Sequence, residues 1–127
     1  MTDSRSLARV HALGRAATGV ALTLAPARVG GAWVGPVGER PEVRVITAAM
    51  GARDLAIGAG AALALARGSG ARPWILAGVA ADAVDLAATL RARDSLPPLS
   101  VAGVTVIAAG SVAVGLRVLR SVDQRTP

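Results

Sequence analysis

The chain has 127 residues, room for one compact unit and too few for two independent soluble cores. Hydrophobic residues make up 53% and charged residues 17%, with a mean hydropathy of +0.53, a balance that excludes disorder and points to a membrane protein. The absence of cysteine removes disulfides, thiolate metal sites and cysteine nucleophiles, and the net charge of +6 arises from 14 arginines, with no lysine, against 8 acidic residues.

The first apolar segment covers residues 7–24, with Arg9, His11 and Arg15 near its start and Pro26 as its stop. It spans a bilayer if Arg9 reaches back to the headgroups. The same stretch also has the ingredients of a secretory signal, with Arg5, Arg9 and Arg15 ahead of an apolar run and Ala25, Pro26 and Ala27 as a small-residue cleavage site. In that case only the helix count changes. The Gly/Pro-rich stretch from Pro26 to Pro41 reads as a loop or a short surface helix at headgroup level, with Trp33 as its anchor.

The second segment opens at Pro41, a favourable first-turn residue, and its span covers residues 45–66 with only Arg53 and Asp54 charged inside it. The third covers 73–90, at the short end of the spanning range, and carries Asp82 and Asp85. The fourth, 99–119, has no charge before Arg117. The tail from Arg120 to Pro127 is polar and is expected to fray. Alanine-dense stretches apolar on all faces favour buried or membrane helices. The valine cluster around Val101, Val104 and Val106 does not read as a strand, because a lone strand leaves open edges that lipid does not tolerate. The expected architecture is therefore all-α: one domain, residues 1–127, folded as an antiparallel up-down four-helix transmembrane bundle.

Nucleic-acid binding is disfavoured. The arginines sit in ones and twos at the margins of apolar segments, and the only aromatic residues are Trp33 and Trp74, so a basic face with stacking rings is missing. With four spans, Arg5, Arg9, Arg67, Arg72, Arg117, Arg120 and Arg125 share one side, and Arg28, Arg40, Arg44, Arg91 and Arg93 the other. This modest bias places both termini in the cytoplasm of a cell-membrane protein.

Five ionisable residues lie inside the apolar segments: Arg15, Arg53, Asp54, Asp82 and Asp85. Such groups face a bundle interior or a cavity. At 1.5 Å per residue, Arg15, Arg53 and Asp82 each lie roughly 12–13 Å, and Asp85 roughly 7 Å, from the outer end of its segment, so antiparallel neighbours bring the charges into one slab. There arginine forks can pair with carboxylates. Asp82 and Asp85, three apart, share a helix face with Gly78 and Thr89. Arg53 and Asp54, about 100° apart on their helix, are expected to serve different partners, one on segment one and the other on segment three. His11, one turn before Arg15, extends this polar face or lies at the membrane interface.

Two roles suit such a layer. One is structural, setting helix register. The other is catalytic: Asp82 and Asp85 as an acid and base made unequal by Arg53, with Asp54 and Arg15 in support, acting by isomerisation or cyclisation on a lipophilic substrate. One histidine with aspartates on another helix is a thin ligand set, so neither a metal nor any other cofactor is expected. The intramembrane glycines Gly51, Gly58, Gly60, Gly78, Gly103, Gly110 and Gly115 are read as sites of close helix approach, and Thr105 and Ser111 as interhelical hydrogen-bond donors.

The run Gly51, Ala52, Arg53, Asp54, Leu55, Ala56, Ile57, Gly58, followed by Trp74 to Gly78 and by Asp82, Ala83, Val84, Asp85, resembles a pattern of small uncharacterised four-helix membrane proteins, broadly DoxX-like in layout. The resemblance covers residues 13–119 and implies a four-helix integral membrane protein with an inward Arg/Asp network, without a substrate. Small multidrug transporters are similar in size, but that family's pattern has a carboxylate on helix one among aromatic rings, whereas this helix one carries Arg15 and the chain lacks Tyr and Phe. The leading expectation is a structural or accessory membrane protein, with an intramembrane enzyme and a proton-coupled carrier as rivals. The lipid bilayer is the expected partner; a lipophilic small molecule, a homo-oligomer and a membrane complex stay open.

Overall fold

The computed structural model describes residues 4–123, side chains through residue 121, and these form five α-helices with no strand among them. They are α1 (Ser4–Leu24), α2 (Pro26–Val34), α3 (Pro41–Arg67), α4 (Ala71–Arg91) and α5 (Pro98–Asp123), with 3-10 turns at Gly35–Glu39 and Arg93–Ser95. Arg125 and the end of the expected frayed tail lie outside the described residues, and up to Asp123 that tail is the last turn of α5.

Proline and glycine set the boundaries. Pro26 and Pro41 stand at the first turns of α2 and α3, where a missing N–H leaves no hydrogen bond unmade. Gly68, at φ +74°, ends α3 in the left-handed conformation, with its own N–H on the Leu65 carbonyl and that of Ser69 on the Ala64 carbonyl. Gly70, at φ +73°, then starts α4, so the two helices reverse direction within three residues, Gly68 to Gly70.

The Pro26–Pro41 stretch is the short-helix alternative of the two read from sequence. Its 3-10 turn folds back over α2 so closely that a Cβ on Gly38 would collide with the Gly30 backbone. Gly30 in turn faces the Thr47 side chain of α3, and Gly35 faces Pro97 at the start of α5. The α2 unit thus covers one end of the bundle.

α1 and α3 run antiparallel along a stripe of small residues. A Cβ on Gly19 would strike the Leu55 backbone, one on Gly51 would lie 2.7 Å from the Gly19 carbonyl oxygen, and one on Gly58 would lie 2.7 Å from that of Ala12. Gly60 makes room for the Trp74 indole. Gly103 and Gly110 differ from expectation: nothing lies within 4 Å of a Cβ at either, so they face outward and carry no helix contact. The rotational setting of α5, which its uniformly apolar sequence leaves open, turns Ala108, Val118 and Leu119 inward instead.

At the end opposite α2, one apolar cluster gathers all four long helices: Ala8, Ala64, Ala71, Ile75, Val118 and Leu119. The polarity of the rest is inverted relative to a water-soluble fold. Arg15, Thr47, Asp54, Asp82 and Thr89 are buried, while Val45, Ile46, Leu99, Val106 and Ile107 are 62–85% exposed. Three helices, Pro41–Arg67, Ala71–Arg91 and Pro98–Ser121, are long and apolar enough to cross a membrane; α1, with Arg5, Arg9 and Arg15, is not among them. The described residues are thus all-helical, with three membrane-competent helices among them.

Candidate functional site: a mid-bundle charge layer

On α1, Ala8, Ala12, Arg15, Gly19 and Leu22 are buried; on α4, Ala71, Ile75, Gly78, Asp82 and Thr89. These spacings of three, four and seven residues are the inward seam of packed helices. Arg15, Asp54 and Asp82 occupy seam positions near the middle of α1, α3 and α4, where neighbouring seams supply small residues, so the layer is built into the packing register.

The structure brings all five predicted residues together as an alternating chain of charges. Arg15 Nη2 pairs with Asp82 Oδ2, and Arg15 Nη1 lies 3.1 Å from Asp54 Oδ1. That same oxygen accepts from Arg53 Nε at 3.1 Å, and Arg53 grips Asp85 with both ends of its fork, Nη2 to Oδ2 at 2.7 Å and Nη1 to Oδ1 at 3.3 Å. The order along the chain is Asp82, Arg15, Asp54, Arg53, Asp85. Asp54 faces α1 and Arg53 faces α4, as their angular offset requires, yet the two also bond to each other. The separation of partners expected from sequence is therefore incomplete, because the long arginine side chain also reaches the carboxylate of the adjacent residue.

Two polar groups complete the Arg15 end. Ser111 Oγ on α5 donates to Asp82 Oδ2 at 2.6 Å, and the Gly78 carbonyl accepts from Arg15 Nη2 at 3.3 Å. Ser111 thus makes the interhelical bond expected of it. Thr105 does not, since its buried Oγ1 has no hydrogen-bond partner in the structure. The two halves of the layer differ in access: the Arg15 side chain is 7% exposed, that of Arg53 33%.

Two residues named from the sequence take roles it did not show. Gly78 is the seat of the guanidinium, for a Cβ there would lie 3.0 Å from Arg15 Nε. Trp33 turns into the bundle: its indole N–H donates to Thr89 Oγ1 at 3.1 Å, and Thr89 Oγ1 donates to the Asp85 carbonyl at 2.8 Å. Trp33 thereby forms a clasp between α2 and the Asp85 turn of α4. His11 packs toward α5, its Nε2 lying 3.7 Å from where a Cβ on Gly115 would stand.

Among the described residues no group of three or more His, Cys, Asp or Glu side chains is arranged to hold a metal ion. Chemically, the layer can tie four helices together, and it holds three carboxylates against two guanidiniums. Set against known protein families, curated proteins and solved structures, the chain matches none of them.

Proposed function

We propose that the chain is a small integral membrane protein of structural or accessory role, its four long helices forming a transmembrane bundle registered by the Arg/Asp layer. The observation that carries this reading is the alternating order of the five charges: each is paired with at least one opposite charge from another helix. Such pairing offsets most of the desolvation penalty and fixes rotation and depth of each helix. Support for α1 as a fourth span comes from its antiparallel contact with α3 and from the neutralisation of Arg15. The DoxX-like layout fits this reading, as does a cell-membrane location with both termini cytoplasmic.

The surplus of one carboxylate over the guanidiniums favours a second reading, in which the layer takes up and releases one proton as part of a carrier. An acid/base enzyme acting on a lipophilic substrate, with Asp82 and Asp85 as its carboxyl pair, is the third. Asp82→Asn and Asp85→Asn separate them. On the structural reading both variants melt at lower temperature in detergent and lose co-purifying membrane partners. If both keep their helicity and melting temperature while a proton-driven flux or a lipid conversion disappears, the structural reading is wrong.

A further inference from the structure

The inference here rests on the membrane reading and concerns the bundle end opposite α2. The apolar cluster of Ala8, Ala64, Ala71, Ile75, Val118 and Leu119 draws the start of α1, the end of α3, the start of α4 and the end of α5 to one level. Arginines stand beside that cluster along the sequence on every helix. Arg9 succeeds Ala8, Arg67 comes three residues after Ala64, Arg72 succeeds Ala71, and Arg117 and Arg120 bracket Val118 and Leu119. Arg9, Arg67, Arg117 and Arg120 are all exposed.

The helix poles add no net charge here, because the N-termini of α1 and α4 lie beside the C-termini of α3 and α5. Neither α1 nor α4 has an acidic residue in its first turn. Among the described residues the one acidic residue at these four helix ends is Asp123. The opposite end is balanced differently: Arg28, Arg40, Arg44, Arg91 and Arg93 share it with Glu39, Glu42 and Asp94, and ion pairs of 3.7 Å join Arg40 to Glu42 and Arg93 to Asp94. The acids thus reinforce the arginine bias of seven against five between the two ends.

We propose that the rim formed by Arg9, Arg67, Arg117 and Arg120 binds the headgroups of anionic phospholipids in one leaflet. The partner follows from charge complementarity and position: the rim sits where the apolar exteriors of α3, α4 and α5 end, which on the membrane reading is where lipid phosphates lie. Guanidinium forks match phosphate oxygens in pairs, and basic side chains beside a membrane-embedded surface attract anionic lipid with a strength that salt screens.

The test is lipid selection by the full chain in nanodiscs of phosphatidylcholine and phosphatidylglycerol, with bound lipids counted by native mass spectrometry at low and high salt. The expected result is enrichment of phosphatidylglycerol by at least ~5-fold, equivalent to ~1 kcal/mol, lost in 1 M salt as screening predicts. The variant Arg9→Gln/Arg67→Gln/Arg117→Gln/Arg120→Gln abolishes the enrichment, while Arg40→Gln/Arg44→Gln/Arg93→Gln at the other end preserves it. Should the quadruple variant misfold, the salt titration of the unaltered chain decides. Incorporation without lipid preference, or a preference that survives high salt, overturns the rim proposal and leaves the membrane reading standing. Failure to enter either lipid overturns both.

Discussion

The Arg15 guanidinium lies in the space that Gly78 leaves by having no side chain: its Nη2 donates to the Gly78 carbonyl at 3.3 Å, and a Cβ at Gly78 would come within 3.0 Å of Nε. Arg15 cannot retreat freely, because Asp54 and Asp82 hold it from either side. Gly78→Ala is therefore expected to destabilise the bundle by ~1–3 kcal/mol, as overpacking of a tight interior does, and Gly78→Leu to prevent assembly. Thermal melting in detergent, followed by circular dichroism, reads both.

Removing one partner of the buried pair should cost more than removing both. Arg15→Leu strands Asp54 and Asp82 with fewer positive neighbours, for an expected loss of ~3–5 kcal/mol. Adding Asp82→Leu to it eliminates one of those carboxylates, and the double variant should be the more stable of the two. A double-mutant cycle over Arg15 and Asp82 measures the coupling; additive losses would mean the two side chains act independently.

Glycines on α3 and α5 should respond in opposite ways. A side chain at Gly58 meets the Ala12 and Ala16 backbone, so Gly58→Leu forces α1 away from α3 and should dissociate the bundle. Gly103→Ala and Gly110→Ala meet open space and should leave stability unchanged or raise it by ~0.4–1 kcal/mol. Resistance to denaturation in mixed micelles ranks the three variants.

The Trp33 clasp predicts a local effect. Trp33→Phe keeps an aromatic ring but loses the bond to Thr89, for ~1 kcal/mol. The loosening should be confined to residues 26–40, visible as faster amide exchange there with the charge layer still protected. Thr89→Val should reproduce it, and the two substitutions together should do little more than either alone.

Much of the charge layer was legible in the sequence because ionisable residues stand out in apolar segments and helical rise converts position into depth. The three-residue spacing put Asp82 and Asp85 on one face, and the angular offset of Arg53 from Asp54 pointed these two to different helices, whereas the division of Asp82 to Arg15 and Asp85 to Arg53 is set by packing. What escaped was decided by rotation and by contacts between distant residues. The outward setting of Gly103 and Gly110 depends on how α5 rolls against α4, and a helix apolar on all sides does not encode that roll in its pattern. The helical state of residues 26–34 rests on Gly38 crossing Gly30 and on the Trp33–Thr89 bond, which local glycine and proline content does not reveal. Gly78 read as one more packing glycine because nothing along α4 shows that an arginine from α1 will fill the space beside it.

On the membrane reading lipid surrounds these helices, and the charge layer lies between two aqueous faces. A chain without cysteine permits a direct measurement: single replacements Ser6→Cys, Ser69→Cys and Ser95→Cys, each at an exposed residue, probed with a membrane-impermeant thiol reagent in sealed vesicles. Residues 6 and 69 should react from one side of the vesicle and residue 95 from the other only. Reaction of all three from a single side, or recovery of the chain as a monomer in detergent-free water, would contradict the account.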